Sequence, residues 1–290
     1  MRTVVWRKFL GGIIWLASYP KSGNTWLRVF IENLFRNTTE PAEINNLGIV
    51  RNNDNAPNLY QDVIDQDIFG MTDSELHQYR GVIQSRLAAG TESVFVKTHN
   101  ALQNFDGRPL IYLEHTAGAV YLLRNPFDMV ISFSDHYRIS YDDAIEAITS
   151  PSHRVKTTNQ GIFQILAGWS NHYRTWHNVN NLNPLLIRYE DMVRNPVKSF
   201  GRFMKFLGLP KNEERLKRAI RNSSFDEVSK QEIKSGFSER SRPDQKFFRS
   251  GKVGGYKSLL SDSQIGKIID GHGELLLEKG YITKNGRLRI

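Results

Sequence analysis

Four short apolar runs limit what this chain can fold into more than any other feature. "GIIWLA" (12–17), "SVFVKTH" (93–99), "GAVYLLR" (118–124) and "PLLIRYE" (184–190) are rich in β-branched residues and set apart by helical patterns. Continuous apolar runs of this length suit strands covered on both faces, as in a parallel sheet. In 24–35, Trp26/Leu27, Phe30/Ile31 and Leu34/Phe35 repeat at helical spacing and leave Arg28, Glu32 and Asn33 outside. Residues 196–209 place Val197, Phe200, Phe203/Met204 and Leu207 on one face, between Pro196 at the start and Gly208 at the end. A last helix over 262–279 carries Ile265, Ile268/Ile269 and Leu275–Leu277. This order predicts a three-layer α/β architecture: a central, mostly parallel sheet with helices on both faces, entered through a P-loop-like strand–loop–helix.

A chain of 290 residues can hold one large α/β domain or two small ones. It shows no internal repeat, low-complexity tract or linker, so a single domain over 1–290 is expected. Two stretches resist assignment. Residues 36–60, rich in Asn, Pro and Asp, and 229–258, rich in Ser, Lys, Arg and Gly, read as long loops of the kind that serve as lids. The start, "MRTVVWRKFLGGIIWLAS", imitates a signal peptide. Cleavage after Ser18 would remove the strand that must hold the following loop, so 12–17 is read as a buried first strand. No segment reaches the ~18 apolar residues of a membrane span.

With no cysteine, disulfides, thiol catalysis and cysteine-ligated zinc are excluded, which suits a reducing compartment such as the cytoplasm. A net charge of +9 favours anionic partners, and the mixed signs of "KNEERLKRAIRN" (211–222) suit a solvated helix face.

The strand-to-helix turn "WLASYPKSGNTW" (15–26) holds one lysine, small polar side chains and no acid. Such a turn offers backbone N–H groups and a helix N-terminus to an anion. It departs from the usual phosphate loop, G-x-x-x-x-G-K-[ST]. Lys21 precedes Gly23, and the first glycine is missing. Ser22, Asn24 and Thr25 add polar groups, and Trp26 offers a flat face to a base. A Mg·nucleotide site needs a carboxylate for its metal, and neither "VFVKTH" nor "YLLRNP" supplies one.

Strand ends of an open α/β sheet gather at one edge, where ligands bind. There "KTH" brings Lys97 and His99, "RNPFDMVIS" brings Arg124 with Ser132 two turns into the next helix, and "RYED" ends the fourth strand. Cationic and neutral donors dominate, which suits a ligand with several anionic oxygens and a metal-free reaction.

These residues resemble the sulfotransferases that use 3′-phosphoadenylyl sulfate (PAPS). "SYPKSGNTW" is similar to the family's 5′-phosphosulfate loop, and "YLLRNPFDMVISFSDHY" to its 3′-phosphate strand and helix. "FRSGKVGGYK" (248–257) resembles its C-terminal glycine loop, R-K-G-x-x-G-D-W-K. It departs at Ser250, where the family has lysine, and at Gly255-Tyr256, where it has Asp-Trp. The resemblance runs from about residue 12 to 260 and implies a single α/β domain with a central parallel sheet.

It also implies roles. Lys21 would contact the 5′-phosphate and the bridging oxygen, with Ser22, Gly23, Asn24 and Thr25 forming the loop. Trp26 would lie along the adenine with Tyr189 and Phe225 of "NSSFDEV". Arg124, Ser132 and Arg249, with Ser250 and Gly251 in the same loop, would hold the 3′-phosphate. His99 would be the general base on the acceptor hydroxyl, and Lys97 would support the sulfuryl group. PAPS would be co-substrate and PAP product, with no metal, and the acceptor a small hydroxyl compound. The family's dimerisation motif is not recognisable, so no oligomeric state follows.

Two rival readings remain at this level: a Mg-dependent kinase of the P-loop type, and a basic nucleic-acid-binding protein with steep salt dependence. Trp169, His172, Tyr173 and Trp176 form an aromatic stripe at helical spacing, which favours core over substrate wall. His136 and Tyr137, a turn beyond Ser132, stand open between surface and acceptor pocket.

Overall fold

Strand β1 (Ile13–Ser18) is buried along its whole length. Alternation sends Ile13, Trp15 and Ala17 into one apolar cluster and Ile14 and Leu16 into another, on the opposite face of the sheet. A strand covered on both sides belongs in the middle of a sheet. Here β2 (Asn52–Asn53), β3 (Val94–Thr98), β4 (Thr116–Leu123) and β5 (Leu185–Arg188) join it in the order β2-β3-β1-β4-β5. Every pairing in this sheet is parallel, with Ala17 opposite Thr98 on one side and Tyr121 on the other. The computed structural model describes residues 11–50, 52–240, 242 and 244–290.

The longer helices are α1 (Asn24–Arg36), α2 (Arg80–Ala88), α3 (Pro126–Tyr137), α4 (Tyr141–Thr149), α5 (Trp169–His177), α6 (Tyr189–Arg194), α7 (Pro196–Phe206), α8 (Glu213–Asn222), α9 (Phe225–Ser235) and α10 (Asp262–Glu278). Apolar side chains of α1, α6, α7 and α8 fill the cluster on one face, and those of α3, α4, α5 and α10 fill the other. The expected three-layer α/β fold, with helices on both faces of a parallel sheet, is therefore present. The aromatic stripe of α5 is core: Trp169, His172 and Trp176 are fully buried and Tyr173 nearly so.

Several expectations need correction. Arg28, Glu32 and Asn33, read as the outer face of α1, are buried. Segment 42–49 and α8 supply partners to two of the three. Glu32 accepts from the Ile49 N–H at 2.8 Å, and Asn33 accepts from the Ala42 N–H at 2.9 Å while donating to the Asn222 carbonyl. Val197 and Leu277, expected on core faces, are 44% and 43% exposed, each at the margin of its helix's stripe. Neither long segment is only a loop: 36–60 contributes β2 to the sheet, and 229–258 continues α9 to Ser235 and closes on a short helical turn at Gly255–Ser258. The basic start of the signal-like segment lies outside the described residues. Among the described residues no helix is long and apolar enough to cross a membrane.

Because β1 lies between β3 and β4, the chain leaves it to one side and later returns on the other. The carboxyl end of β1 is thus a switch point, where the flanking loops diverge and open a crevice.

Candidate active site

The loop after β1 is shaped by two positive φ angles, 67° at Lys21 and 96° at Gly23. Gly23 is required twice over. Its φ suits glycine, and a Cβ there would lie 2.7 Å from Cδ2 of Tyr189. It caps α1 without a side-chain hydrogen bond, and the first turn of α1 contains no acid, so that turn's N–H groups face the loop uncapped by a side chain. Asn24 ties the turn to the sheet by donating to the Leu16 carbonyl at 2.8 Å and to Ser18 Oγ at 3.2 Å.

His99 lies just beyond β3. Its Nδ1 is 2.7 Å from the Ser18 carbonyl oxygen, which only accepts, so Nδ1 carries the proton and Nε2 keeps its lone pair. The backbone is held as well: His172 Nε2 donates to the His99 carbonyl at 3.1 Å, and Tyr121 OH lies 2.8 Å from His172 Nδ1. On the other flank Asp54, fully enclosed, accepts from Thr98 Oγ1 and Asn100 Nδ2, each at 2.7 Å. Burial, with help from the Lys97 charge, holds the His99 imidazole well below the ordinary histidine range. It is neutral near pH 7, with its free nitrogen a base.

Burial also lowers Lys21, to about 7, and lowers Lys97; Glu239 opposes the fall in both. That carboxylate comes from the segment after α9. It accepts from Thr25 Oγ1 at 3.2 Å and pairs with Arg28. Burial works against its charge, yet Lys97 and Arg28 bring it down to about 2.

Arg124 donates from Nη1 to the Lys21 carbonyl at 2.9 Å and lies over the Tyr189 ring at 4.4 Å. Trp26 meets Tyr189 and Phe200 edge-on, at 5.9 and 5.8 Å between centroids. Phe225 packs instead at the glycine loop, where a Cβ on Gly251 would come within 2.5 Å of its ring. Lys21, Ser132 and Arg249 line one small cleft of about 10 Å³, together with Asp135, His136 and Phe247. Arg249 is half-exposed and paired with Asp135 at 3.1 Å, while Ser250 is exposed. His136 thus faces the cleft; burial first, then Lys21, lowers it to about 3.

The glycine loop is clamped by a residue that sequence reasoning missed. Asp128, on α3, accepts from the Gly254 N–H at 2.7 Å and from the Tyr256 N–H at 3.0 Å. It is held in turn by Asn125 Nδ2 at 3.0 Å. Tyr256 is fully buried and packs on Phe127 at 5.2 Å. Arg28 was also missed, although its place three residues after Thr25 puts the two on one helix face. Asp54 and Glu239 carry no local signal at all.

An anionic ligand with a base and several phosphates fits this set. Ser22 Oγ, Arg28 Nε and Arg124 Nε are buried donors without a hydrogen-bond partner among the described residues. They adjoin two half-buried lysines and an uncapped helix terminus. Among the described residues no cluster of acids and histidines suits a metal ion.

Comparison with known proteins agrees with the fold. A model of the sulfotransferase domain matches residues 13–279. Mouse sulfotransferase 1B1 is 24% identical over 87% of this chain and 79% of its own. The flavonol 3-sulfotransferase of Flaveria bidentis is 25% identical over 93% and 84%. Among solved structures, mouse SULT7A1 complexed with PAP covers 95% of this chain and 87% of its own, with TM-score 0.56 and 23% identity. Retinol dehydratase in complex with androsterone and PAP gives a TM-score of 0.61 at 21% identity, over 94% of this chain and 83% of its own.

Proposed function

Since the chain belongs to the sulfotransferase domain family, enzymes that depend on PAPS, we propose that it moves a sulfuryl group from PAPS to the hydroxyl of a small molecule, with His99 as general base. The observation that carries the reading is the His99 geometry: Nδ1 is engaged by the Ser18 carbonyl at 2.7 Å, and a neutral Nε2 is left on a ring that feels the Lys97 charge.

Bound PAPS would supply the activated sulfuryl group and the leaving phosphate. Lys21, Ser22, Gly23, Asn24 and Thr25 would hold its 5′ end. Arg124, Ser132 and Arg249 would hold the 3′-phosphate, with Ser250 and Gly251 in the same loop. Trp26 and Tyr189 would border the base, and Phe225 would reach it from beside the glycine loop. The chain's own contribution is positioning and charge neutralisation. His99 Nε2 takes the acceptor proton as the hydroxyl oxygen attacks, and Lys97 with Lys21 opposes the negative charge that builds up.

The acceptor is a small hydroxyl compound, as the androsterone in the retinol dehydratase complex suggests in kind. A cytoplasmic site of action accords with relatives named cytosolic sulfotransferases. One domain suffices for all of these roles. Family membership displaces the kinase and nucleic-acid readings.

The test is transfer of labelled sulfate from PAPS to a panel of phenols, sterols and sugars with EDTA present. Transfer should persist under chelation. A requirement for Mg²⁺, or use of ATP in place of PAPS, would overturn the reading.

A further inference from the structure

The Glu239 carboxylate lies against Thr25 and Lys97, which the proposed function gives to a ligand's anionic oxygens, and against Arg28, whose Nε is a buried donor without a partner among the described residues. It accepts from Thr25 Oγ1 at 3.2 Å, pairs with Arg28, and feels Lys97 as its strongest charge partner. Its own segment is anchored on both sides. Phe237 is buried with Phe248 and Val29, the Ser238 N–H donates to Asn45 Oδ1 at 2.9 Å, and Gln245 donates to the Asp135 carbonyl at 2.6 Å. Two residues beyond Gln245, the Phe247 ring lies 3.9 Å from Lys21 Nζ. The adjoining cleft, about 10 Å³, is no larger than one water needs and too small for a phosphate.

We propose that Glu239 is a specificity-determining residue: its carboxylate is an internal competitor for the 5′-anion subsite built by Thr25, Arg28 and Lys97. The proposal rests on the reading of the Lys21 loop as the nucleotide site. Two anions cannot share that subsite, since like charges a few ångströms apart in a partly buried place repel strongly. A ligand must therefore displace the carboxylate, and its apparent affinity falls by the fraction of molecules in which the subsite is closed. Every ligand that uses the subsite loses the same factor. Ligands that grip elsewhere as well, through a base and a 3′-phosphate, still bind. Simple anions such as sulfate, phosphate or pyrophosphate are pushed out of range. The enzyme is thereby kept free of the commonest cellular anions, although its loop is cationic.

The experiment is calorimetric titration of the wild type and Glu239→Gln with PAP, ADP, adenosine 3′-phosphate and inorganic pyrophosphate. Glutamine keeps the size and the contact with Thr25 but not the charge. Unliganded melting curves identify any variant that fails to fold, and Glu239→Ala serves as the second variant. PAP and pyrophosphate should each bind about tenfold tighter to both variants, whereas adenosine 3′-phosphate, which has no 5′ anion, should change little. Unchanged or weaker PAP binding would overturn the proposal and make Glu239 a support for Arg28. An equal gain for adenosine 3′-phosphate would also overturn it, because the segment rather than the charge would then be the obstacle. If wild type failed to prefer PAP over ADP, the nucleotide reading itself would fall, while the pyrophosphate comparison would still decide the role of Glu239.

Discussion

Replacing His99 by asparagine separates proton transfer from nucleotide binding. The ring's Nδ1–H donates to the Ser18 carbonyl at 2.7 Å, and an asparagine amide can supply a donor in that direction. The backbone is held independently by His172 and by the Asp54 contacts to Thr98 and Asn100. What disappears is the Nε2 lone pair. Loss of a general base costs ~10²–10⁴ in rate, about 3–5.5 kcal/mol of barrier at ~1.4 kcal/mol per decade. The assay is kcat for sulfation of any acceptor found by screening, alongside calorimetric binding of PAP. His99→Asn should bind PAP nearly as wild type does and turn over at least about a hundredfold more slowly. Neutral imidazole is the active form, and its affinity for protons is depressed below the ordinary 6.5. The wild-type rate should therefore fall only in the acid range below that value, and the mutant should lack this limb. Near-normal turnover would refute the base assignment. Lost PAP binding would move His99 to the nucleotide site or to the fold.

Three further outcomes are expected. PAP should raise the melting temperature more than ADP, and Arg124→Ala should erase most of that difference, since charge-assisted contacts are worth about 1.5–3 kcal/mol each; Arg249→Ala, at a half-exposed side chain, should do so with less effect on the unliganded protein. Asp128→Ala should lower stability by about 1.5–3 kcal/mol for each N–H bond lost at Gly254 and Tyr256, and raise the KM for PAPS, both measurable by denaturant melts and kinetics. Lys21 titrates near 7 in the free protein, so an anion that favours its charged form should bind less tightly as pH rises from 7 to 9; calorimetry in buffers of different ionisation enthalpy should show proton uptake on PAP binding at pH 8.

Local patterns determined the layers and half of the site. The four strands are legible because short continuous apolar runs set between helical patterns suit doubly covered strands, and parallel strands bring their carboxyl ends to one edge. Lys21, Lys97, His99 and Arg124 are therefore assembled by topology alone, each lying within a few residues of a strand end. Tertiary structure decided what periodicity cannot express. Arg28, Glu32 and Asn33 repeat like a solvated face, but all three are buried: a distant segment and α8 supply partners to Glu32 and Asn33, and Glu239 pairs with Arg28. Asp54, Asp128 and Glu239 meet Thr98, Gly254 and Thr25 across long stretches of chain. A helical or strand period reports on neighbours within a turn or a pleat. A buried carboxylate's partner depends instead on which distant backbone is folded against it, and no local spacing records that.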